Sequence, residues 1–173
     1  RVGVLHVDLD GFRSINDTFG TTVGDEVLST IGTRLADLVD RHVGIGRIGV
    51  DEFLIVVAGE GPSLEFYSRL RRLGEEVQRR TERPLNIDGM DLRTTASVGI
   101  SRWPGDGDDS RSLLRAADRA LVAGRRDGRH QLRFYERSLD ERTRTGLALD
   151  HDLRRAAAQR GLEVHYQPII DLR

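Results

Sequence analysis

Apolar positions fall along the chain in short blocks, some with strand spacing and some with helical spacing. Val2 to Leu9 is an apolar run closing on Asp8-Leu9-Asp10-Gly11, which predicts a buried strand that ends in a loop. From Gly24 to Leu38, the residues Val27, Leu28, Ile31, Leu35 and Leu38 keep to one helical face. Val43 to Ile48 and Glu52 to Ala58 are apolar runs joined through Gly49-Val50-Asp51, the pattern of a hairpin. Pro62 marks the start of a long helix through Arg80. Leu85 to Ile87 and Met90 to Ile100 flank Asp88-Gly89, a strong two-residue turn signal. A helix from about Asp109 to Arg126 and a strand from Leu132 to Tyr135 complete the series.

The order β-α-β-β-α-β-β-α-β predicts an α+β protein, with helices flanking a central antiparallel sheet. After Tyr135 the character changes. Arg137 to Arg160 is charged and alanine-rich, and Leu139, Leu147, Leu149 and Leu153 give it only a thin apolar stripe. Leu162-Glu163-Val164-His165-Tyr166-Gln167-Pro168 then opens a new strand. The expected division is a domain over 1–135, a linker helix over 136–160 and the start of a second domain over 161–173.

Composition narrows the chemistry. The 173 residues carry a net charge of −1, so no basic field points to nucleic acid. Cysteine is absent, which removes disulfides and thiolate metal sites. Runs such as Phe53 to Ala58 are too short to span a bilayer and no signal-peptide pattern is present, so a cytoplasmic location is expected. All 27 basic residues are arginine, so any phosphate contact from a basic side chain must come from a planar guanidinium.

Two acidic clusters stand at expected strand ends: Asp8 with Asp10, and Asp51 with Glu52. A strand end beside a hairpin would gather these carboxylates into a pocket suited to Mg²⁺, which takes one or two carboxylates plus substrate phosphates. Solvated turn residues are the simpler alternative for each of them. Gly11-Phe12-Arg13 offers exposed backbone N–H groups and a guanidinium for phosphate. Asn16 and Asp25 have the donors and acceptors to read guanine, and they are equally good helix caps.

Taken together, Asp8-Leu9-Asp10-Gly11-Phe12-Arg13-Ser14-Ile15-Asn16-Asp17-Thr18-Phe19-Gly20 and Gly24-Asp25 resemble the opening half of the GGDEF family of diguanylate cyclases. Arg47-Ile48-Gly49-Val50-Asp51-Glu52-Phe53 resembles the signature hairpin, and Ser97-Val98-Gly99-Ile100 a later strand. Ala117-Asp118-Arg119-Ala120-Leu121 and Gly128-Arg129 resemble the last helix and the turn beyond it. Residues 162–171 resemble the start of an EAL phosphodiesterase domain.

The resemblance implies a ferredoxin-like, nucleotide-cyclase palm. It implies that Asp8 and Glu52, with the Leu9 carbonyl, hold Mg²⁺, and that Asp51 assists the attacking 3′-hydroxyl or a second metal. Asn16 and Asp25 would read guanine. The backbone at Gly11 and Phe12, with Arg13, Arg125 and Arg129, would hold phosphate. Two domains facing each other, each with one GTP, would form cyclic-di-GMP, with an EAL domain attached in cis.

The chain departs from the family pattern at several places. Val50 replaces the second signature glycine, so backbone strain or methyl groups in the nucleotide's path are expected to weaken or abolish synthesis. Arg125 replaces a lysine. The feedback-inhibition positions hold Asp40 and Val43, while Arg34-Leu35-Ala36-Asp37 matches that pattern too far upstream. The matched pattern opens on the first central strand, and the helical segment that usually precedes it in the family lies outside the match. The expectation is a GTP-binding domain, impaired as a cyclase, that tunes an EAL phosphodiesterase; an active cyclase is the alternative.

Overall fold

The computed structural model describes residues 1–137. Its elements in order are β1 (Val2–Asp10), α1 (Phe12–Phe19), α2 (Thr21–Ala36), β2 (Val43–Arg47), β3 (Glu52–Ala58) and α3 (Ser63–Glu82). These are followed by β4 (Leu85–Ile87), β5 (Met90–Leu92), β6 (Thr95–Trp103), α4 (Ser110–Arg126) and β7 (Leu132–Phe134). Five strands form one sheet in the order β2-β3-β1-β6-β7, and β4 and β5 form a separate ribbon. β1 is central and antiparallel to both β3 and β6. With its connecting helices, the order β2-β3-β1-β6 is that of a ferredoxin-like α+β fold.

The sheet has two different faces. Because side chains alternate along a strand, Leu5, Val7 and Leu9 of β1 point into the main core with Phe53, Ile55 and Val57 of β3. Val27, Ile31 and Leu35 of α2 and Leu70 and Val77 of α3 close that side. The opposite face is covered by α4, where Val4 packs with Leu113 and Ala117. Gly99 sets how close α4 can come: a Cβ there would lie 2.1 Å from the Ala117 carbonyl oxygen. Ser101 ties the same contact by donating to the Leu113 carbonyl at 2.8 Å. The face under α4 therefore carries His6, Asp8 and Asp10, the even positions of β1.

Four expectations from the sequence need correction. β1 runs through Asp10, so Asp8 and Asp10 lie within the strand, where Ser97 and Thr95 of β6 pair with them. A helix absent from the sequence reading, α1, fills Phe12 to Phe19, and α2 begins at Thr21 after Gly20, which adopts φ 87°. The run from Met90 to Ile100 is two strands, separated at Arg93-Thr94. Finally, β7 pairs parallel to β6, so the sheet is mixed. The α4 crossover returns the chain in its original direction, which only a parallel neighbour can accept. The linker helix and the EAL-type segment lie outside the described residues, apart from Glu136 and Arg137.

Candidate nucleotide and metal site

Asp8 and Glu52 face each other across β1 and β3 as registered partners. Asp8 is buried, with 4% of its surface exposed. Its Oδ2 accepts from Arg125 Nη1 of α4 at 2.7 Å, while its Oδ1 is buried with no partner. Burial pushes the Asp8 carboxyl up to about 6; Arg125 pulls it down, and Asp51, Glu52 and Asp10 raise it further. A buried carboxylate with an open oxygen and acidic neighbours has the chemistry of a cation site. Among the described residues, no group of three or more acidic or histidine side chains is gathered as a ready-made metal site. The donor set thus fits a cation that completes its shell with substrate oxygens.

His6 was missed in the sequence. Its Nε2 lies 3.5 Å from Glu52 Oε2 and its Nδ1 3.7 Å from Asp118 Oδ1, under α4. The signal was available, because His6, Asp8 and Asp10 place a polar residue at every second position of an apolar strand. Leu9 turns its side chain into the core at 1% exposure, so only its carbonyl is available to a metal.

The signature hairpin is held by its own backbone and by Arg47. Ile48 N–H donates to the Glu52 carbonyl at 3.0 Å, and Leu9 N–H to the Asp51 carbonyl at 3.1 Å. The Arg47 guanidinium donates to the Gly49 carbonyl at 3.0 Å and to the Val50 carbonyl at 2.7 Å. Gly49 leaves room for the Glu52 side chain: a Cβ there would lie 2.8 Å from Glu52 Oε2, and the carboxylate would have to shift. Neither Gly49 nor Val50 has positive φ. The backbone strain expected from Val50 is therefore absent, since valine fits this conformation. Val50 stands 67% exposed at the tip, near Ile48 at 52%.

Gly11, at φ 75°, turns the chain from β1 into α1, whose N-terminus has no side-chain cap. Its first N–H groups, beginning at the buried Phe12, are free of helical partners, as an anion site requires. The Arg13 side chain is 92% exposed and faces Asp17 at 3.7 Å. Asn16 lies against Gly24, where a Cβ would sit 1.8 Å from Asn16 Oδ1, and that oxygen is buried without a partner. The adjoining Asp25 lines a cavity of about 450 Å³ with Leu28, Arg47 and Phe53. The amide and the carboxylate are thus set at the same end of α2.

Asp10 differs from Asp8. Its Oδ2 accepts from Thr95 Oγ1 at 2.7 Å and from His130 N–H at 2.9 Å, and its Oδ1 from Ser97 Oγ at 2.8 Å. These bonds leave it no open oxygen of the kind Asp8 has, so it is a clamp within the fold rather than part of the acidic pocket. Arg34 and Asp37 are likewise structural. Arg34 donates to the carbonyls of Arg80, Arg83 and Pro84 at the end of α3, and Arg80 reaches back to Asp37 at 3.4 Å.

An α+β palm with paired carboxylates at its central strands defines the class of nucleotide-cyclase-like domains. The family model for the diguanylate cyclase GGDEF domain matches residues 1–131, and the chain belongs to that family. It is 35% identical over 168 residues to the bifunctional diguanylate cyclase/cyclic di-GMP phosphodiesterase MucR of Pseudomonas aeruginosa, covering 97% of this chain and 24% of MucR. It is 31% identical over 173 residues to the cyclic di-GMP phosphodiesterase PdeR of Escherichia coli, covering 100% of this chain and 25% of PdeR. The chain therefore spans about a quarter of the length of these relatives. Among solved structures, the GGDEF domain of TpbB (YfiN) from Pseudomonas aeruginosa superposes with a TM-score of 0.77 at 27% identity, over 83% of this chain and 81% of that one. The active GGEEF domain of a diguanylate cyclase from Vibrio cholerae gives 0.66 at 26% identity, over 79% and 83%. Among the described residues, no helix is long and apolar enough to cross a membrane.

Proposed function

We propose that this domain binds GTP with Mg²⁺ in cyclic-di-GMP signalling and that its own cyclase turnover is weak. The observation that carries the reading is the Asp8–Glu52 pair, with a buried, unpartnered Asp8 oxygen on the strand that leads into the uncapped α1 N-terminus. Asp8, Glu52 and the Leu9 carbonyl would hold the metal, which supplies charge neutralisation for the phosphates. Asp51 would assist deprotonation of an attacking 3′-hydroxyl or hold a second metal. Asn16 and Asp25 read guanine, while Gly11, Phe12, Arg125 and Arg129 take phosphate. Arg125 reaches phosphate by exchanging its present partner, Asp8.

Reduced turnover rests on bulk, since the backbone is unstrained. Val50 projects two methyl groups at the exposed hairpin tip, in the path by which the nucleotide would approach. The attached EAL-type phosphodiesterase, read from residues 161–173 and from the hybrid relatives, is the partner in cis that GTP binding would tune. A cytoplasmic location agrees with this role. An active cyclase is the second reading, favoured by the unstrained conformation of Val50. Incubation with GTP and Mg²⁺, followed by chromatography for cyclic-di-GMP, separates the two: trace product supports weak turnover and brisk synthesis supports the second.

A further inference from the structure

The Asp10 carboxylate joins two segments that are distant in the chain. Thr95 and Ser97 bind it from β6, and Thr94 Oγ1 donates to the Asp10 carbonyl at 3.2 Å. This pins the junction that follows Arg93. The His130 N–H binds the same carboxylate, which pins the turn that carries Arg129. Gly128 at φ 133° and His130 at φ 60° give that turn its shape. Both arginines then line one open cavity of about 310 Å³, together with Gly11, Ser14 and Thr18. Among the described residues, no ion pair joins either guanidinium to a carboxylate.

Two unpaired guanidiniums held over one cavity, with hydroxyls from α1 beside them, form a seat for a multiply charged oxyanion. The lining carries two positive charges against one negative, and that negative charge already accepts three hydrogen bonds. We propose that Arg93 joins Arg129 in an anion seat that holds the terminal phosphates of a nucleoside triphosphate or free pyrophosphate, with Asp10 positioning both arginines. The substrate part of this inference rests on the GTP reading above; the seat itself does not.

The test is titration calorimetry of the protein with tripolyphosphate, pyrophosphate, GTP and GMP, using the parent, Arg93→Ala and Arg93→Lys. Arg111→Ala, which removes an exposed charge on α4, controls for net charge. Arg93→Ala should weaken tripolyphosphate, pyrophosphate and GTP by about tenfold, the effect of losing one charge-assisted contact. GMP binding should stay unchanged, Arg93→Lys should fall between, and Arg111→Ala should match the parent. If the parent binds GTP and Arg93→Ala binds it equally well, the seat is refuted while the GTP reading stands. If tripolyphosphate binding depends on Arg93 but GTP shows no advantage over ATP, the seat stands and the guanine reading fails. An equal loss of GMP and GTP in Arg93→Ala marks a general disturbance and overturns the proposal.

Discussion

Arg125 Nη1 donates to Asp8 Oδ2 at 2.7 Å, joining the last turn of α4 to the central strand. Even with this bond, burial dominates, and the Asp8 carboxyl titrates at about 6 against an ordinary 3.8. The folded state thus holds a proton that the unfolded chain has lost between these values, so stability falls as pH rises through that window. Asp8→Asn removes the penalty. It should stabilise the metal-free protein at pH 7.5 by on the order of 1–2 kcal/mol, with the gain fading below about pH 4. Thermal melts across pH check this. A less stable variant at pH 7.5 would show that the pair with Arg125 outweighs burial.

Glu52→Gln should weaken GTP binding in Mg²⁺ by about tenfold and change little in EDTA, because an anionic ligand matters only while a cation bridges protein and phosphates. Equal losses in both buffers would assign Glu52 a structural role beside His6.

Much of this was legible in the chain, and the failures have physical causes. The Asp88-Gly89 turn declared itself because both residues need positive φ, here 51° and 78°. β3 was read to the residue from its apolar run, and α3 from Pro62. α1 was overlooked because eight residues give too few turns for a period, and its motif residues drew a chemical reading first. β7 was found, but its parallel partner was not, since pairing direction depends on the α4 crossover and not on local pattern. At the site, Asp8 and Glu52 come together as expected. Asp10 looked equivalent to Asp8 because its three donors come from residues 85 to 120 positions away. The role of Val50 also changed, because φ at a hairpin tip is set by the hairpin's geometry and cannot be read from one residue.

Val50→Gly should raise cyclic-di-GMP synthesis severalfold by removing methyl groups from the exposed tip. Stability should drop by about 0.5–1 kcal/mol, from the greater freedom of glycine in the unfolded chain. Synthesis must be compared across protein concentrations, because two domains are needed per product. If parent and variant turn over equally at high concentration, Val50 is not the limiting residue, and Arg125 becomes the better candidate.

The central claim is that the Asp25 end of α2 and the Asp8–Glu52 pair form one guanine- and metal-dependent nucleotide site. Competitive titration of GTP against ATP in Mg²⁺, with the parent and Asp25→Ala, tests it most directly. The parent should prefer GTP by about tenfold, and Asp25→Ala should bind both nucleotides alike, having lost the carboxylate that accepts from the base. Equal affinity for GTP and ATP in the parent would contradict the account.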